Sequence, residues 1–226
     1  MDFPWPGECG YTTRMVEVTQ EKALIFRITH IENVPWILDH GLHCRNSRTA
    51  DPNFREIGNQ DLIAKRANRV VTITPGGTLG DYVPFYFTPR TPMLYNIKTG
   101  WQGVKQTPMS DIAVIVPSLH TLREQDIPFL FTDRHAYIRA AQFSDDLDDL
   151  GIVDWPLIAS GNFKRSIDDL GRCERYQAEA LVHREMPIAA VLGIAVYGPN
   201  EVAKLGREVE RRSLELRVVH RTDWYF

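Results

Sequence analysis

An amide and an acid two residues apart, Gln177 and Glu179, are the side chains in this sequence best placed to do chemistry. They lie in a mostly apolar run, Gln177-Ala178-Glu179-Ala180-Leu181-Val182-His183, shortly before Pro187. Read as a strand, the run sends alternate side chains to opposite faces. Gln177, Glu179, Leu181 and His183 then share one face. A carboxylate inside such a strand is unfavourable unless its charge is paired or used. A salt bridge or a half-exposed strand accounts for an isolated Gln-x-Glu on its own, so the pair gains meaning only from the rest of the chain.

Other candidate groups are cationic or polar. Residues 43–60 form a long polar segment, and a loop of that length in a compact domain is functional or disordered. It leads into a short helix expected over Asp61 to Arg69, where Arg66 and Arg69 are three apart and face one side. Arg134 and His135 follow a strand at Phe129-Leu130-Phe131, and Arg172 and Arg175 lead into Gln177. A carboxylate stabilises a cationic, sugar-like transition state, and arginines hold diphosphates through two parallel hydrogen bonds.

Several other chemistries lack their residues. Gly76-Gly77-Thr78-Leu79-Gly80 follows no clean strand and opens no convincing helix, which makes it a poor dinucleotide fingerprint, and no P-loop is present. There is no GxSxG, and the seven histidines form no HExxH pattern or metal constellation. The expected metal content is none.

The elements that must hold these residues belong to an ordinary globular chain. It has 226 residues, 43% hydrophobic and 24% charged, enough for one large domain with a real core. The net charge of −3 excludes a globally basic nucleic-acid binder but leaves room for a local basic groove. Cys9, Cys44 and Cys173 are widely separated and odd in number, which points to a reducing cytoplasm. No stretch has the length of a membrane span.

Residues 1–22 read as an irregular arm and 23–226 as a single domain. Strands are expected at Ala23 to Thr29, Tyr82 to Phe87, Ile112 to Val116, Ile194 to Tyr197 and Leu214 to Val219. Helices are expected at His30 to His40, Ser118 to Gln125 and Asn200 to Arg212, with shorter ones at Phe143 to Leu150 and Trp155 to Ala159. Strands and helices mix without the even alternation of a doubly wound sheet, so the fold class is α+β.

Four segments in this order carry a resemblance: Phe26-Arg27-Ile28-Thr29-His30-Ile31-Glu32-Asn33, Gly80-Asp81-Tyr82-Val83-Pro84-Phe85-Tyr86-Phe87, Phe131-Thr132-Asp133-Arg134-His135 and Gln177-Ala178-Glu179-Ala180-Leu181-Val182. Together they resemble the DarT family, the DNA ADP-ribosyltransferase toxins of bacterial DarT–DarG toxin–antitoxin systems, from about Leu24 to Phe226. The resemblance implies an ADP-ribosyltransferase fold, a central split β-sheet with NAD in its cleft. It implies transfer of ADP-ribose from NAD to a base of single-stranded DNA, thymidine in the branch this chain is more similar to and guanosine in a related one. Its implied partner is a DarG-like macrodomain antitoxin.

Carried over by position, Glu179 resembles the catalytic glutamate and Arg66 the second catalytic residue, which also binds NAD; a slip in alignment would substitute Arg69. Arg27, Ile28 and Thr29 match the segment that holds nicotinamide, and Trp36 and Cys44 fall at further positions lining the NAD site. Gln177, His135, Arg134 and Arg175 are placed on the substrate side. Residues 45–67 resemble the NAD-binding element and 135–179 the loop that presents DNA. The first segment departs from the family's usual His-Ile-Thr-His by having Arg27. Transfer to RNA or protein, and a catalytically silent nucleic-acid-binding module, are the alternative readings.

Overall fold

The computed structural model describes residues 18–226, so most of the arm expected over 1–22 lies outside the described residues. Ordered pairing begins late in the first apolar run. Leu24 bridges to Ser118 and Phe26 to Tyr86, and only Arg27–His30 forms the regular strand β1. A 3-10 turn leads into helix α1 (Val34–His40), with Pro35 in its first turn and Gly41 ending it at φ 79°. A Cβ on Gly41 would lie 2.5 Å from the Met186 carbonyl oxygen, where β2 (Leu42–His43) begins.

Helix α2 (Gln60–Ala67) is capped by Asn59, whose side chain accepts the Leu62 N–H at 3.0 Å. Strand β3 (Tyr82–Tyr86) follows, then α3 (Pro92–Thr99), capped by Thr91 and ended by Gly100 at φ 73°. Next come β4 (Ile112–Val116), α4 (Leu119–Glu124) and β5 (Phe129–Thr132). A helix expected over Phe143 to Leu150 is instead a two-residue strand, β6 (Phe143–Ser144), and a 3-10 turn over Leu147–Ile152. Ser144 and Asp146 side chains accept nearby backbone N–H groups there, competing with a continuous helix.

The remaining elements are α5 (Trp155–Ser160), α6 (Arg172–Arg175), β7 (Glu179–His183), β8 (Glu185–Met186), β9 (Gly193–Val196), α7 (Pro199–Arg211) and β10 (Arg217–His220). Strand β7 starts two residues later than expected. Gln177 and Ala178 belong to the turn that leaves α6, with their N–H groups donating to Glu174 and Arg175 carbonyls. Gln177 and Glu179 are therefore not alternate residues of one strand.

The strands form two four-stranded sheets, ordered β1-β4-β9-β10 and β3-β7-β5-β6, plus the small β2–β8 pair. All pairings are antiparallel except β9 with β10. The two sheets meet where Phe26 and Tyr86 exchange backbone hydrogen bonds of 2.7 and 2.9 Å. Beyond that join β1 and β3 belong to separate sheets, so the fold is α+β with its central sheet split in two.

Alternation packs both sheets. Val83, Phe85, Phe129, Phe131, Ala180 and Val182 join Ala113, Ile115, Ile194 and Val196 in the main core, together with α1 and α7. The opposite face of the first sheet, with Ile28, Ile112 and Val114, is covered by α3 and by Trp224 and Tyr225. Fully burying each large apolar side chain contributes about 1.5–3 kcal/mol, so this packing holds the edges of the cleft in place. Among the described residues no helix is long and apolar enough to cross a membrane.

Candidate active site

Glu179 opens β7 opposite Tyr86 of β3, at the point where the sheets part. Its N–H donates to the Thr132 hydroxyl at 3.1 Å, and that hydroxyl donates to the Arg134 carbonyl at 2.6 Å. The Glu179 side chain is 1% exposed, a position a carboxylate tolerates only with partners. Arg66, in the last turn of α2, supplies them through two parallel hydrogen bonds, Nη1 to Oε1 at 2.7 Å and Nη2 to Oε2 at 2.5 Å. The Ala136 N–H adds a third, to Oε1 at 3.0 Å.

Burial pushes the Glu179 carboxyl up, but Arg66 and the neighbouring hydrogen bonds outweigh it and hold the group below the usual carboxylate range. Burial likewise pushes the Arg66 guanidinium down, and the charge and hydrogen bonds of Glu179 more than restore it. Both groups are fully charged at neutral pH. Arg66 is therefore no proton acceptor; it keeps Glu179 ionised and aimed.

His135 is 8% exposed and adjoins both. Its Nδ1 lies 3.1 Å from Glu179 Oε1, 3.4 Å from Arg66 Nη1 and 3.2 Å from the Tyr137 N–H. The contact with Glu179 requires a proton on Nδ1, and the other two require its lone pair, so only one set forms at a time. Burial holds the imidazole pKa below its ordinary value despite Glu179, leaving His135 neutral at neutral pH.

These groups line a cavity of about 620 Å³. Its walls include Arg27, Ile28 and Thr29 of β1, Trp36 of α1, Cys44 and Arg45 of the polar segment, Arg66 of α2, and Gln177. Three arginines line it, and two are bound to carboxylates: Arg66 to Glu179, and Arg45 to Glu56 at 2.9 Å. Arg27 has no carboxylate partner among the described residues. Its Nη1 donates to the Pro84 carbonyl at 2.9 Å, and burial, with Arg66 nearby, lowers its pKa to about 10. It remains a cation at neutral pH, suited to a diphosphate or another acceptor-rich ligand. No metal-binding group of three or more His, Cys, Asp or Glu side chains occurs among the described residues.

Some expected site residues are engaged elsewhere. Arg134 pairs with Asp133 at 2.8 Å, and Arg175 with Asp154 and Asp169 at 3.1 and 2.9 Å; neither lines the cavity. The Gln177 amide donates back to the Cys173 carbonyl at 2.9 Å while its side chain borders the cavity. Arg69 does not line the cavity, and its carbonyl accepts the Leu79 N–H, so Arg66 is the arginine that meets Glu179. Cys44 is 1% exposed, and burial raises its thiol pKa.

Two positioning features carried no sequence assignment: one face of an aromatic strand, and a buried amide. Tyr82, Pro84 and Tyr86 of the aromatic strand face the cavity, whereas Val83 and Phe85 face the core; the period-two pattern was the available signal. Asn33 is the other. Its Oδ1 accepts the Arg55 N–H at 2.8 Å, and its Nδ2 donates to the Arg55 carbonyl and the Thr29 hydroxyl, both at 3.0 Å. One buried amide thus latches the polar segment onto β1, and the Thr29 hydroxyl is occupied by that latch.

Removing the latch takes the partner from the part-buried N–H and carbonyl of Arg55, at about 0.5–1.5 kcal/mol for each hydrogen bond lost. Asn33→Ala is expected to lower the midpoint of thermal unfolding and to raise KM for the ligand of this cavity about tenfold, with kcat changed far less. An unchanged KM would show that the segment holds its place without Asn33.

Comparison with known proteins places the chain among relatives. The family described as "ssDNA thymidine ADP-ribosyltransferase, DarT" matches residues 26–226. A DNA ADP-ribosyl transferase of Escherichia coli O127:H6 (strain E2348/69 / EPEC) is 45% identical over 206 residues, covering 91% of this chain and 94% of that protein. The structure of Thermus sp. 2.9 DarT in complex with ADP-ribosylated ssDNA superposes with a TM-score of 0.84 at 34% identity, covering 91% of this chain and 97% of the other. The same protein in complex with NAD+ gives 0.79 at 34% identity, covering 91% and 98%.

Proposed function

Because the chain belongs to the DarT family of single-stranded-DNA thymidine ADP-ribosyltransferases, we infer that it transfers ADP-ribose from NAD to thymidine in single-stranded DNA and releases nicotinamide. The observation that carries the residue assignment is the buried fork between Arg66 and Glu179 at the mouth of the sheet split. NAD is the ADP-ribose donor, and the cavity suits it: Arg27 offers a cation without a carboxylate, and the backbone of β1 forms one wall.

In this reading Glu179 acts by its charge. As the bond to nicotinamide breaks, positive charge grows on the ribose, and a fixed carboxylate stabilises it more in the transition state than in the ground state. Arg66 keeps that carboxylate ionised and in one rotamer. The acceptor base must lose a proton when its new glycosidic bond forms. His135 is the neutral titratable group nearest the pair, which makes it the group suited to receive that proton. Ile28, Thr29, Trp36 and Cys44 shape the NAD wall, and Gln177 borders the acceptor side.

A toxin role opposed by an ADP-ribose-removing, DarG-like antitoxin follows from the family. Cys44 and Cys173 are free thiols, in keeping with a reducing cytoplasm. Residues 23–226 form the single domain that carries the activity.

Labelled NAD offered separately with single-stranded DNA, RNA and protein tests the substrate class. Label is expected on single-stranded DNA alone, with one nicotinamide released per transfer. Label on protein or RNA would favour the other transferases of this fold, and no nicotinamide release with any acceptor would favour a silent binding module.

A further inference from the structure

Outside the cleft, four aromatic residues from separate parts of the chain converge. Tyr95 of α3 lies 6.1 Å from Phe163 and 5.5 Å from Phe226 between ring centroids, and Phe163 lies 6.0 Å from Phe226 and 5.3 Å from Tyr176. Tyr176 is buried and its hydroxyl donates to the Arg90 carbonyl at 2.9 Å. The Arg90 guanidinium sits 4.4 Å above the Phe226 ring and donates to the carbonyls of Asp223 and Tyr225. The base of the cluster is thus rigid. Its top is open: Tyr95 is 41% exposed, and Phe163 and Phe226 are half-buried.

The stretch from Phe163 through α6 sorts its charges. Arg172 and Arg175 are bound to Asp169, whereas Lys164 and Arg165, beside Phe163, are exposed and have no acidic partner among the described residues. An open aromatic surface bordered by unengaged cations is the combination that holds single-stranded nucleic acid, by stacking bases and by pairing phosphates. The cluster is not part of the NAD site, since none of its four rings lines the cavity. It adjoins the cleft from two sides. Met93 and Asn96 of α3 face the cavity while Tyr95 faces the cluster, and Tyr176 lies three residues before Glu179.

We propose that Tyr95, Phe163 and Phe226 form a stacking platform for a nucleobase that flanks the modified one in the same strand, with Lys164 and Arg165 on its phosphates. The platform rests on the reading of single-stranded DNA as acceptor and specifies where the strand runs after it leaves the cleft.

Steady-state kinetics on two oligonucleotides test it: one intact, and one with abasic sites on both sides of the acceptor. Hydrolysis of NAD without DNA reports on the cleft itself. Tyr95→Ala is expected to raise KM for the intact oligonucleotide about tenfold, in line with the loss of one stacked base. NAD hydrolysis and the KM for the abasic oligonucleotide should stay near the unsubstituted values, and Tyr95→Phe should restore the intact-oligonucleotide KM. Lys164→Ala with Arg165→Ala, both exposed and safe for the fold, should flatten the dependence of log KM on log salt by about 1.4, roughly 0.7 for each phosphate contact on a single strand.

An unchanged KM in Tyr95→Ala, or an equal loss on intact and abasic oligonucleotides, would overturn the platform. An unchanged salt slope would remove the two cations from it. These outcomes are distinct from failure of the DNA reading, in which the unsubstituted enzyme would modify neither oligonucleotide.

Discussion

Glu179→Gln is expected to lower DNA modification by about a thousandfold or more while leaving NAD binding largely in place. The amide keeps the size and one acceptor oxygen of the carboxylate but not its charge. The growing positive charge on the ribose then has nothing fixed opposite it. Binding should survive because the walls provided by Arg27, Ile28 and Trp36 do not depend on Glu179.

The variant also leaves the Arg66 guanidinium, whose side chain is 13% exposed, without its counter-ion. Breaking a buried pair by removing one partner costs about 3–5 kcal/mol, so a lower unfolding temperature is expected as well. NAD titration beside a single-turnover transfer assay separates the two effects. Transfer at the unsubstituted rate would remove Glu179 from the chemistry, and lost NAD binding would make it a structural residue.

Arg66→Lys is the second large effect, a loss of about a hundredfold or more in kcat. A lysine keeps the positive charge, but a single ammonium cannot make the two parallel bonds to Oε1 and Oε2. Arg66→Ala goes further and changes the pH profile in a direction the geometry sets. In the unsubstituted protein Arg66 holds the Glu179 pKa below its ordinary value. The carboxylate is then ionised across the neutral range and protonates only as the pH falls through that lowered value.

Without Arg66 the burial effect is opposed by less, the Glu179 pKa rises, and the acid limb of the residual activity moves to higher pH. The same linkage acts on stability. The pair stabilises the fold fully above the unfolded carboxylate value, and the contribution is lost as pH falls through the lowered one. Rate against pH for the unsubstituted protein and Arg66→Ala checks this; an unmoved acid limb would mean that Arg66 does not control Glu179. Arg69→Ala should leave both rate and profile unaltered, because Arg69 lies off the cavity.

Periodic, strongly patterned elements were legible in the sequence. Strand β4 falls where the apolar run Ile112–Val116 places it, and α7 is within a residue of the expected helix. The chemistry was less legible, because it depends on partners far apart in the chain. Glu179 alone looks like any strand carboxylate. What singles it out is Arg66, 113 residues away, and the register opposite Tyr86.

Arg66 and Arg69 share a helical side, and only the end of α2 at Ala67, with Arg69 held to Leu79, separates them. Arg134 and Arg175 show the converse. Their charges were visible, but the acids that take them up, Asp133, Asp154 and Asp169, are set by loop geometry that no periodicity encodes. Gln177 was expected from strand alternation and borders the cavity for a different reason, the turn leaving α6. Asn33 carried no pattern at all, because its side chain latches onto the backbone of a residue 22 positions away.

In the proposed reaction the Arg66–Glu179 fork directs ADP-ribose from NAD onto thymidine of single-stranded DNA. Mass spectrometry of oligonucleotides that differ only in one central base, after incubation with the protein and NAD, tests it directly. The expected result is a single added ADP-ribose on the thymidine-containing strand, fragmenting to a modified thymidine and absent with Glu179→Gln. An adduct on another base, or an equal adduct in the Glu179→Gln variant, would contradict it.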